Sequence, residues 1–232
     1  MFIKINQWLS KPFVKLEFNI DSYFEKVINQ KATNVNTIIE LGGVSRPVLE
    51  KNNCYRYIGI DIDSNFNHNY FYDVFYCKSV EENLPENADL IFSKYLMEHI
   101  ENVEISYLNQ IAALNSGGTI VHLYPLGYHP FSLLNKLVGN DLARSIIPII
   151  RKGSETVTGY PAFYKLGNAY KLEKFLSKIN GIDFKVRYHY GALDYFSFFF
   201  PFAIIILIFN TLSSLLNLKI FASNVLVEIK KN

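Results

Sequence analysis

The 232-residue sequence has few of the residues that hold metals or form cross-links, and it has no long run of positive charge. Its two cysteines, Cys54 and Cys77, lack the spacing of a metal site, so we expect two ordinary thiols in a reducing cytoplasm. Basic residues barely outnumber acidic ones, 23 against 21, and they form no stripe. The sequence therefore predicts no bound metal and no nucleic-acid partner.

Residues 1–36 lack a secretory signal, because Lys4, Lys11 and Lys15 interrupt the apolar residues and no small-residue cleavage site follows. We therefore expect a cytoplasmic protein with an N-terminal lead over this range. Apolar side chains recur in the lead at steps of three or four residues, at Phe2, Ile5, Leu9 and Phe13. This spacing is typical of an amphipathic helix, which either contacts a membrane interface or packs over the rest of the protein.

What the sequence does contain is a pair of apolar runs that each include an acidic residue at the end. Residues 37–43 read TIIELGG, and residues 57–63 read YIGIDID. Glu40 and Asp61 are about twenty residues apart, the length of one strand–helix–strand unit. Glycine lets the backbone approach a ligand closely, and a carboxylate closing the second strand can hydrogen bond a ribose diol. The pattern predicts a nucleoside-cofactor site.

The rest of the chain alternates short apolar runs with amphipathic stretches. Further strands are predicted at residues 75–80, 88–93, 119–124, 184–190 and 222–229. Helices are predicted at residues 21–30, 47–52, 103–114, 130–138, 142–150 and 168–179. This alternation indicates a mostly parallel sheet with helices on both faces. An insertion over residues 125–167 follows a central strand, so we expect it to lie over the carboxyl edge of the sheet, where ligands bind.

Four motifs resemble those of the class I S-adenosylmethionine-dependent methyltransferases, in the order and spacing of that family. They are the acidic-x-Gly turn of residues 40–43, the acidic strand end at Asp61, the run of residues 83–100 (NLP, ADLIFS and LMEHI) and the turn and strand of residues 114–121 (LNSGGTIV). The resemblance implies an α/β, Rossmann-like, doubly wound sheet of seven strands with the last strand antiparallel. It also implies a helical insertion after strand five and an apolar hairpin between strands six and seven.

By this resemblance, which is to the type 11-like branch associated with bacterial surface polysaccharides, the cofactor is S-adenosylmethionine. Glu40 would orient its amino-acid moiety, directly or through the loop, and Asp61 would bind its ribose. The other implied cofactor contacts are Gly42, Gly43, Ile62, Ser79, Val80 and Ser93. The loop departs from the family pattern, because residues 44–46 stand where further glycines are usual. A nicotinamide-binding domain is disfavoured, since no G-x-G-x-x-G follows the first strand.

Three histidines are candidates for the general base that a hydroxyl acceptor needs. His129 follows strand five, where acceptors approach in the family, and we prefer it as the base. His99 belongs to the family's Glu-His pair, with a helix cap or a packing role as the alternative. His122 lies inside strand five, and we expect it to be a core histidine with satisfied hydrogen bonds.

Residues 195–218 contain no charged residue, and their middle is almost wholly apolar. In the family this segment connects two strands of one sheet, so both ends return to the sheet and a single crossing of the bilayer is excluded. We expect the chain to bend near Pro201 or within residues 210–214. The segment would then enter one leaflet of a membrane as a re-entrant hairpin or lie at the membrane interface. The alternative is a buried connection or a homodimer interface within a soluble protein.

These features predict a methyltransferase attached peripherally or monotopically to the cytoplasmic membrane. Residues 129–135, 159–164 and 194–201 resemble bacterial homologues that act on surface polysaccharides, which implies a hydroxyl of a membrane-associated or lipid-linked sugar as acceptor. A quinone or another lipophilic phenol is the alternative acceptor, suggested by the aromatic content of 16%. A non-catalytic, membrane-associated binding or scaffold protein with a degenerate cofactor loop is the alternative from a different class.

Overall fold

The computed structural model describes residues 2–44, 46–138 and 160–232. The strands are β1 Thr37–Leu41, β2 Arg56–Asp61, β3 Val74–Cys77, β4 Ala88–Lys94, β5 Leu114–Pro125, β6 Ile182–His189 and β7 Asn224–Lys231. They form one sheet of seven strands in the order β3-β2-β1-β4-β5-β7-β6. β7 pairs antiparallel with β5 and β6, whereas the other neighbours are parallel. The predicted doubly wound sheet with an antiparallel last strand is confirmed.

Helices cover both faces of this sheet. They are α1 Phe2–Leu16, α2 Ile20–Ala32, α3 His68–Phe71, α4 Val103–Ala113, α5 Pro130–Val138, α6 Ala169–Leu176 and α7 Phe200–Leu215, with 3-10 turns at Met97–His99, Leu193–Phe196 and Lys219–Phe221. α4 and α6 bury apolar side chains against one face, and α2 does so against the other. The central strands are therefore buried on both sides, which explains their nearly continuous apolar runs.

The helix predicted over residues 47–52 is wrong: these residues are irregular, and side chains from β1 and β2 bind two of their amides. The amide of Val48 donates to Glu40 Oε1 at 3.0 Å, and that of Leu49 to the Tyr57 hydroxyl at 3.4 Å. Residues 46–55 consequently form an irregular crossover from β1 to β2.

Smaller differences lie at the ends of other elements. α2 starts at Ile20 because Asn19 caps it, accepting from the amide of Ser22 at 3.0 Å. β5 starts at Leu114, so residues 115–118 belong to the irregular beginning of the strand rather than to a separate turn. The helix predicted over residues 142–150 lies outside the described residues.

The apolar C-terminal segment folds as a 3-10 turn followed by the single helix α7. Pro201 lies in the first turn of α7, where a missing amide costs no helical hydrogen bond. Residues 210–214 are helical, so the bend predicted there is wrong. Among the described helices, none combines the length and the apolar character that crossing a bilayer requires.

Candidate functional site

The carboxyl ends of β1 and β2 bring Glu40 and Asp61 to one edge of the sheet. The strands are parallel neighbours in which Glu40 lies opposite Gly59. Since side chains alternate along a strand, Gly59 and Asp61 share a face, and Glu40 lies on that same face. The carboxylates of Glu40 and Asp61 therefore lie on the same face of the sheet, at its carboxyl edge.

Glu40 is fully buried and enclosed by donors from the protein itself. The Tyr57 hydroxyl donates to its Oε2, and the Tyr72 hydroxyl donates to the same oxygen at 3.3 Å. Its other oxygen receives the Val48 amide, eight residues further along the chain. Burial raises the pKa of Glu40 to about 7. Glu40 thus orders the loop after β1, which agrees with a role exerted through the loop.

This loop requires two consecutive glycines. Gly42 has φ +78°, a left-handed conformation, and the Leu96 side chain lies 3.0 Å from the position of a Cβ. A Cβ on Gly43 would lie 2.5 Å from Glu40 Cδ and closer still to the Tyr72 hydroxyl. The next residue, Val44, also has a positive φ of +47°. Val44, a β-branched residue, therefore adopts the left-handed backbone conformation that glycine usually provides in such a turn.

Asp61 closes β2 with its side chain in a tight turn. Its Oδ1 accepts from the Asp63 amide at 2.8 Å, and burial raises its pKa. Burial, and secondarily the charges of Asp61 and Asp63, raise the pKa of Tyr160. At this edge Asp61 is thus a partly sequestered carboxylate.

The other predicted cofactor contacts divide into exposed and buried residues. The Ile62 side chain, next to Asp61, is 59% exposed. Ser79 makes a local turn, accepting from the Glu81 amide at 3.2 Å, and Val80 packs into the core. Ser93 is fully buried, and its hydroxyl pairs with His122 Nδ1 at 2.8 Å. This geometry gives the side chains of Val80 and Ser93 no access to a ligand.

The 3-10 turn after β4 attaches residues 160–167 to the same edge. The Glu98 carbonyl accepts from the amides of Phe163 at 2.8 Å and Tyr164 at 3.1 Å. His99 Nδ1 lies 2.9 Å from the Pro161 carbonyl, and since a carbonyl only accepts, this nitrogen carries the proton. Burial lowers the pKa of His99. His99 is therefore a neutral histidine whose Nε2 has its lone pair available.

The Glu98 side chain is the most unusual polar group at this edge. It is buried, and its Oε2 has no hydrogen-bond partner among the described residues. It is packed among Tyr124, Pro125 and Tyr164. Burial raises its pKa to about 8. A buried carboxyl without a partner is a candidate for a functional residue. Glu98 was not among the residues predicted from the sequence, although it belongs to the Glu-His pair that pointed to His99.

His129 occupies a different environment from the one predicted. It is fully buried, its Nε2 lies 3.0 Å from Asn210 Oδ1, and its Nδ1 accepts from the Phe131 amide at 3.2 Å. Burial lowers its pKa to about 4. Because both nitrogens are engaged, His129 joins α5 to α7, and the geometry gives no support to its predicted role as general base.

His122 is a buried core residue, as predicted. Its Nδ1 pairs with Ser93, but its Nε2 has no partner among the described residues, so it is only half satisfied. Burial lowers its pKa to about 3. His122 is therefore neutral at physiological pH.

The sequence matches no protein-family model and no curated protein. The fold, in contrast, is similar to solved structures of methyltransferases. The plantazolicin methyltransferase BpumL in complex with SAH aligns with 91% of this chain and 82% of its own, at 15% identity and a TM-score of 0.53. A SAM-dependent methyltransferase from Archaeoglobus fulgidus aligns with 92% and 93%, at 13% identity and a TM-score of 0.52. At these identities the likeness establishes the class I methyltransferase fold.

Proposed function

We propose that this chain is an S-adenosylmethionine-dependent methyltransferase that binds its cofactor across the carboxyl edge of β1, β2 and β4. The proposal rests on the pairing of a turn after β1 that requires glycine at positions 42 and 43 with Asp61 at the end of the neighbouring parallel strand. The carboxyl edge of a parallel α/β sheet is where such folds bind nucleosides. The likeness to a methyltransferase crystallised with SAH supports the same choice of cofactor.

The residues present fit this cofactor. Asp61 would accept hydrogen bonds from the ribose hydroxyls, and the exposed Ile62 beside it would pack against the adenine. The turn of Gly42 and Gly43 lies where the amino-acid moiety would approach, and Glu40 holds that backbone in place. The nucleoside end of the cofactor would thus lie against Asp61 and Ile62, and its amino-acid end against the turn of Gly42 and Gly43.

S-adenosylmethionine supplies a methyl group on a positively charged sulfur, so transfer is an in-line displacement: the acceptor oxygen bonds the methyl carbon as the carbon–sulfur bond breaks. The protein must align the acceptor and exclude water. Residues 160–167 suit the second task, because Glu98 and His99 attach them to the open edge of the sheet.

Glu98 is the general base that this geometry favours for a hydroxyl acceptor. It follows β4 and lies near Pro125 at the end of β5, so it belongs to the carboxyl edge where an acceptor would enter. A carboxyl with a pKa of about 8 is ionised often enough at neutral pH, and is basic enough, to take a hydroxyl proton. His99 is the second candidate, since its Nε2 lies 3.7 Å from Glu98 Oε1.

The proposed acceptor is a hydroxyl of a membrane-associated or lipid-linked sugar. Its support is the family resemblance of the segments around the site, together with the apolar helices next to it. A quinone or lipophilic phenol is the alternative acceptor. The scaffold alternative gains support from Val44, which stands in the glycine loop, and from the Leu96 side chain packed on Gly42.

Equilibrium binding of S-adenosylmethionine to the full chain tests the cofactor proposal. We expect saturable binding that weakens at least about tenfold in Asp61→Asn, because a hydrogen bond to a charged acceptor contributes roughly 1.5–3 kcal/mol. Glu104→Gln, an exposed carboxylate on α4, is the matched control and should bind like the wild type. Absence of saturable binding by the wild type would favour the scaffold.

Transfer of a labelled methyl group to membrane extract tests the reaction and its base. Glu98→Gln should lower transfer roughly a hundredfold or more while retaining cofactor binding, because it keeps the shape of the side chain and removes its basicity. Unchanged transfer by this variant would reject Glu98 as the base. Fractionating the labelled product into lipid-linked sugar and quinone separates the two acceptors.

A further inference from the structure

The N-terminal helix α1 attaches to α7 through its polar side. The Phe200 amide donates to Asn6 Oδ1 at 2.9 Å, and the Ser10 hydroxyl donates to the Ser197 carbonyl at 3.5 Å. Asn6 and Ser10 are both buried in this contact. Phe13 and Val14 also pack on the cluster that includes Ala203 and Ile206 of α7, so the buried side of α1 is mixed. Five other apolar residues of the helix stay exposed, unlike those of an ordinary surface helix.

The outward side of α1 is apolar along one flank and basic along the other. Its exposed apolar residues include Phe2, Ile5, Trp8, Leu9 and Leu16, with Trp8 71% exposed. Its lysines, at positions 4, 11 and 15, are all exposed. At 100° per residue, Trp8 lies between the lysines and the apolar flank, opposite the buried Asn6 and Ser10.

α7 continues this apolar surface. A narrow stripe of Ala203, Ile206, Asn210 and Ser213 faces the protein. The opposite side exposes Ile205, Ile208, Leu212 and Leu215, the last of these at 76%. The exposed sets of the two helices meet where Phe2 stacks on Phe199, with ring centroids 6.2 Å apart. We call the exposed apolar residues of α1 and α7, with the three lysines of α1, the α1–α7 surface.

The charge on this surface has one sign. α1 contains three lysines and no acidic residue, and residues 195–218 contain no charged residue. The acidic residue that follows α1, Glu17, is turned inward and accepts from the Leu193 amide at 3.0 Å. An apolar face with basic residues and a tryptophan at its border matches the interfacial region of an anionic bilayer, where each lysine adds to the attraction.

We infer that the α1–α7 surface docks the protein on one leaflet of an anionic membrane, lying in the interface without crossing it. This inference goes beyond methyl transfer, since lipid binding needs no functional cofactor site. It also specifies the surface that would hold the site near a membrane-borne acceptor.

Co-sedimentation of the full chain with vesicles tests this docking. We expect binding to vesicles that contain phosphatidylglycerol and much weaker binding to phosphatidylcholine alone, with a loss of binding at high salt. Lys4→Gln, Lys11→Gln and Lys15→Gln together should lower the affinity about a hundredfold, roughly fivefold for each lysine. Trp8→Ser with Leu212→Ser should also lower it by at least about tenfold, whereas Ile105→Ser with Leu108→Ser, exposed on α4, should not.

Two outcomes would overturn the docking proposal. One is equal vesicle binding by the wild type and the α1–α7 variants. The other is that the wild type does not bind vesicles but forms dimers, and that the Trp8 and Leu212 changes dissociate these dimers, as measured by light scattering. The α1–α7 surface would then be an interface between two copies. Cofactor binding measured on the same variants separates this result from a failure of the proposed methyl transfer.

Discussion

Two regions of this molecule reverse the usual placement of polar and apolar groups. At the β1–β2 edge, the carboxyl of Glu40 is fully buried among two tyrosine hydroxyls and a backbone amide. On the α1–α7 surface, Trp8 and Leu215 face outward while Asn6 lies inside. Both placements cost free energy unless a partner compensates. The first region has its partners within the chain, so changes there should alter stability. The outward side of the second has none among residues 2–44, 46–138 and 160–232, so changes there should alter binding.

The largest expected effect is on the first region, in Glu40→Ala. The change leaves the Tyr57 and Tyr72 hydroxyls and the Val48 amide without their buried acceptor, so we expect a loss of about 3–5 kcal/mol in the free energy of unfolding. Urea denaturation measures it. Glu25→Ala, which breaks an exposed pair with Lys94, should cost less than about 1 kcal/mol. Similar losses in both variants would contradict a sealed Glu40 network.

A second effect concerns the pH dependence of stability in Glu98→Gln. The unfolded chain releases the Glu98 proton near pH 4.5, whereas the folded chain keeps it to about pH 8. Between these values the folded state binds more protons, so this group's contribution to stability falls as pH rises. Glutamine cannot ionise, so the variant lacks this decline. The wild type should lose up to about 1.4 kcal/mol more per pH unit in that window.

Unfolding free energies from pH 4 to 9 measure this difference. Glu17 and Glu40, whose pKa values burial raises to about 7, are present in both proteins and cancel in the comparison. Parallel pH curves for the two proteins would show that Glu98 is not sequestered in solution.

Asn6→Ala tests the junction of the α1–α7 surface, where a polar group is buried. The side-chain oxygen of Asn6 accepts from the Phe200 amide in the first turn of α7, so removing this side chain should lower the free energy of unfolding by about 1 kcal/mol. Asn29→Ala, which removes an exposed bond within α2, is the control and should have little effect. Thermal denaturation of the two variants compares them, and equal melting temperatures would argue against the cap.

The smallest effect on stability is expected for Trp8→Ser. A side chain that is 71% exposed contributes little to folding, so the free energy of unfolding should change by less than about 0.5 kcal/mol. Denaturation of the variant without lipid checks this. A loss of several kcal/mol would mean that Trp8 packs inside the protein, which would remove the contrast between the two regions.

The sheet was largely predictable from the sequence, because its buried strands are continuous apolar runs. β1 lies within the apolar run of residues 37–43, and the antiparallel last strand followed from the family resemblance. The irregular path of residues 47–52 was not predictable, because it is held by the side chains of Glu40 and Tyr57, which bind the amides of Val48 and Leu49. Only the folded chain brings these groups together.

The site was predictable where it depends on strand ends and unpredictable where it depends on distant contacts. Glu40 and Asp61 follow apolar runs, so their shared edge could be foreseen. The isolation of Glu98 depends on residues 160–167, and the engagement of His129 depends on Asn210, 81 residues away. Apolar periodicity revealed that α1 is amphipathic, but it does not specify which side is buried.

The hydrogen bond between Asn6 and Phe200 joins residues 194 positions apart. A ribosome makes the chain from its N-terminus, so α1 emerges long before α7 exists to receive its polar side. The α1–α7 surface is therefore assembled only after residues 200–215 have been made. A copy truncated before α7 would lack it, so attachment to lipid would distinguish such a copy from one that contains both helices.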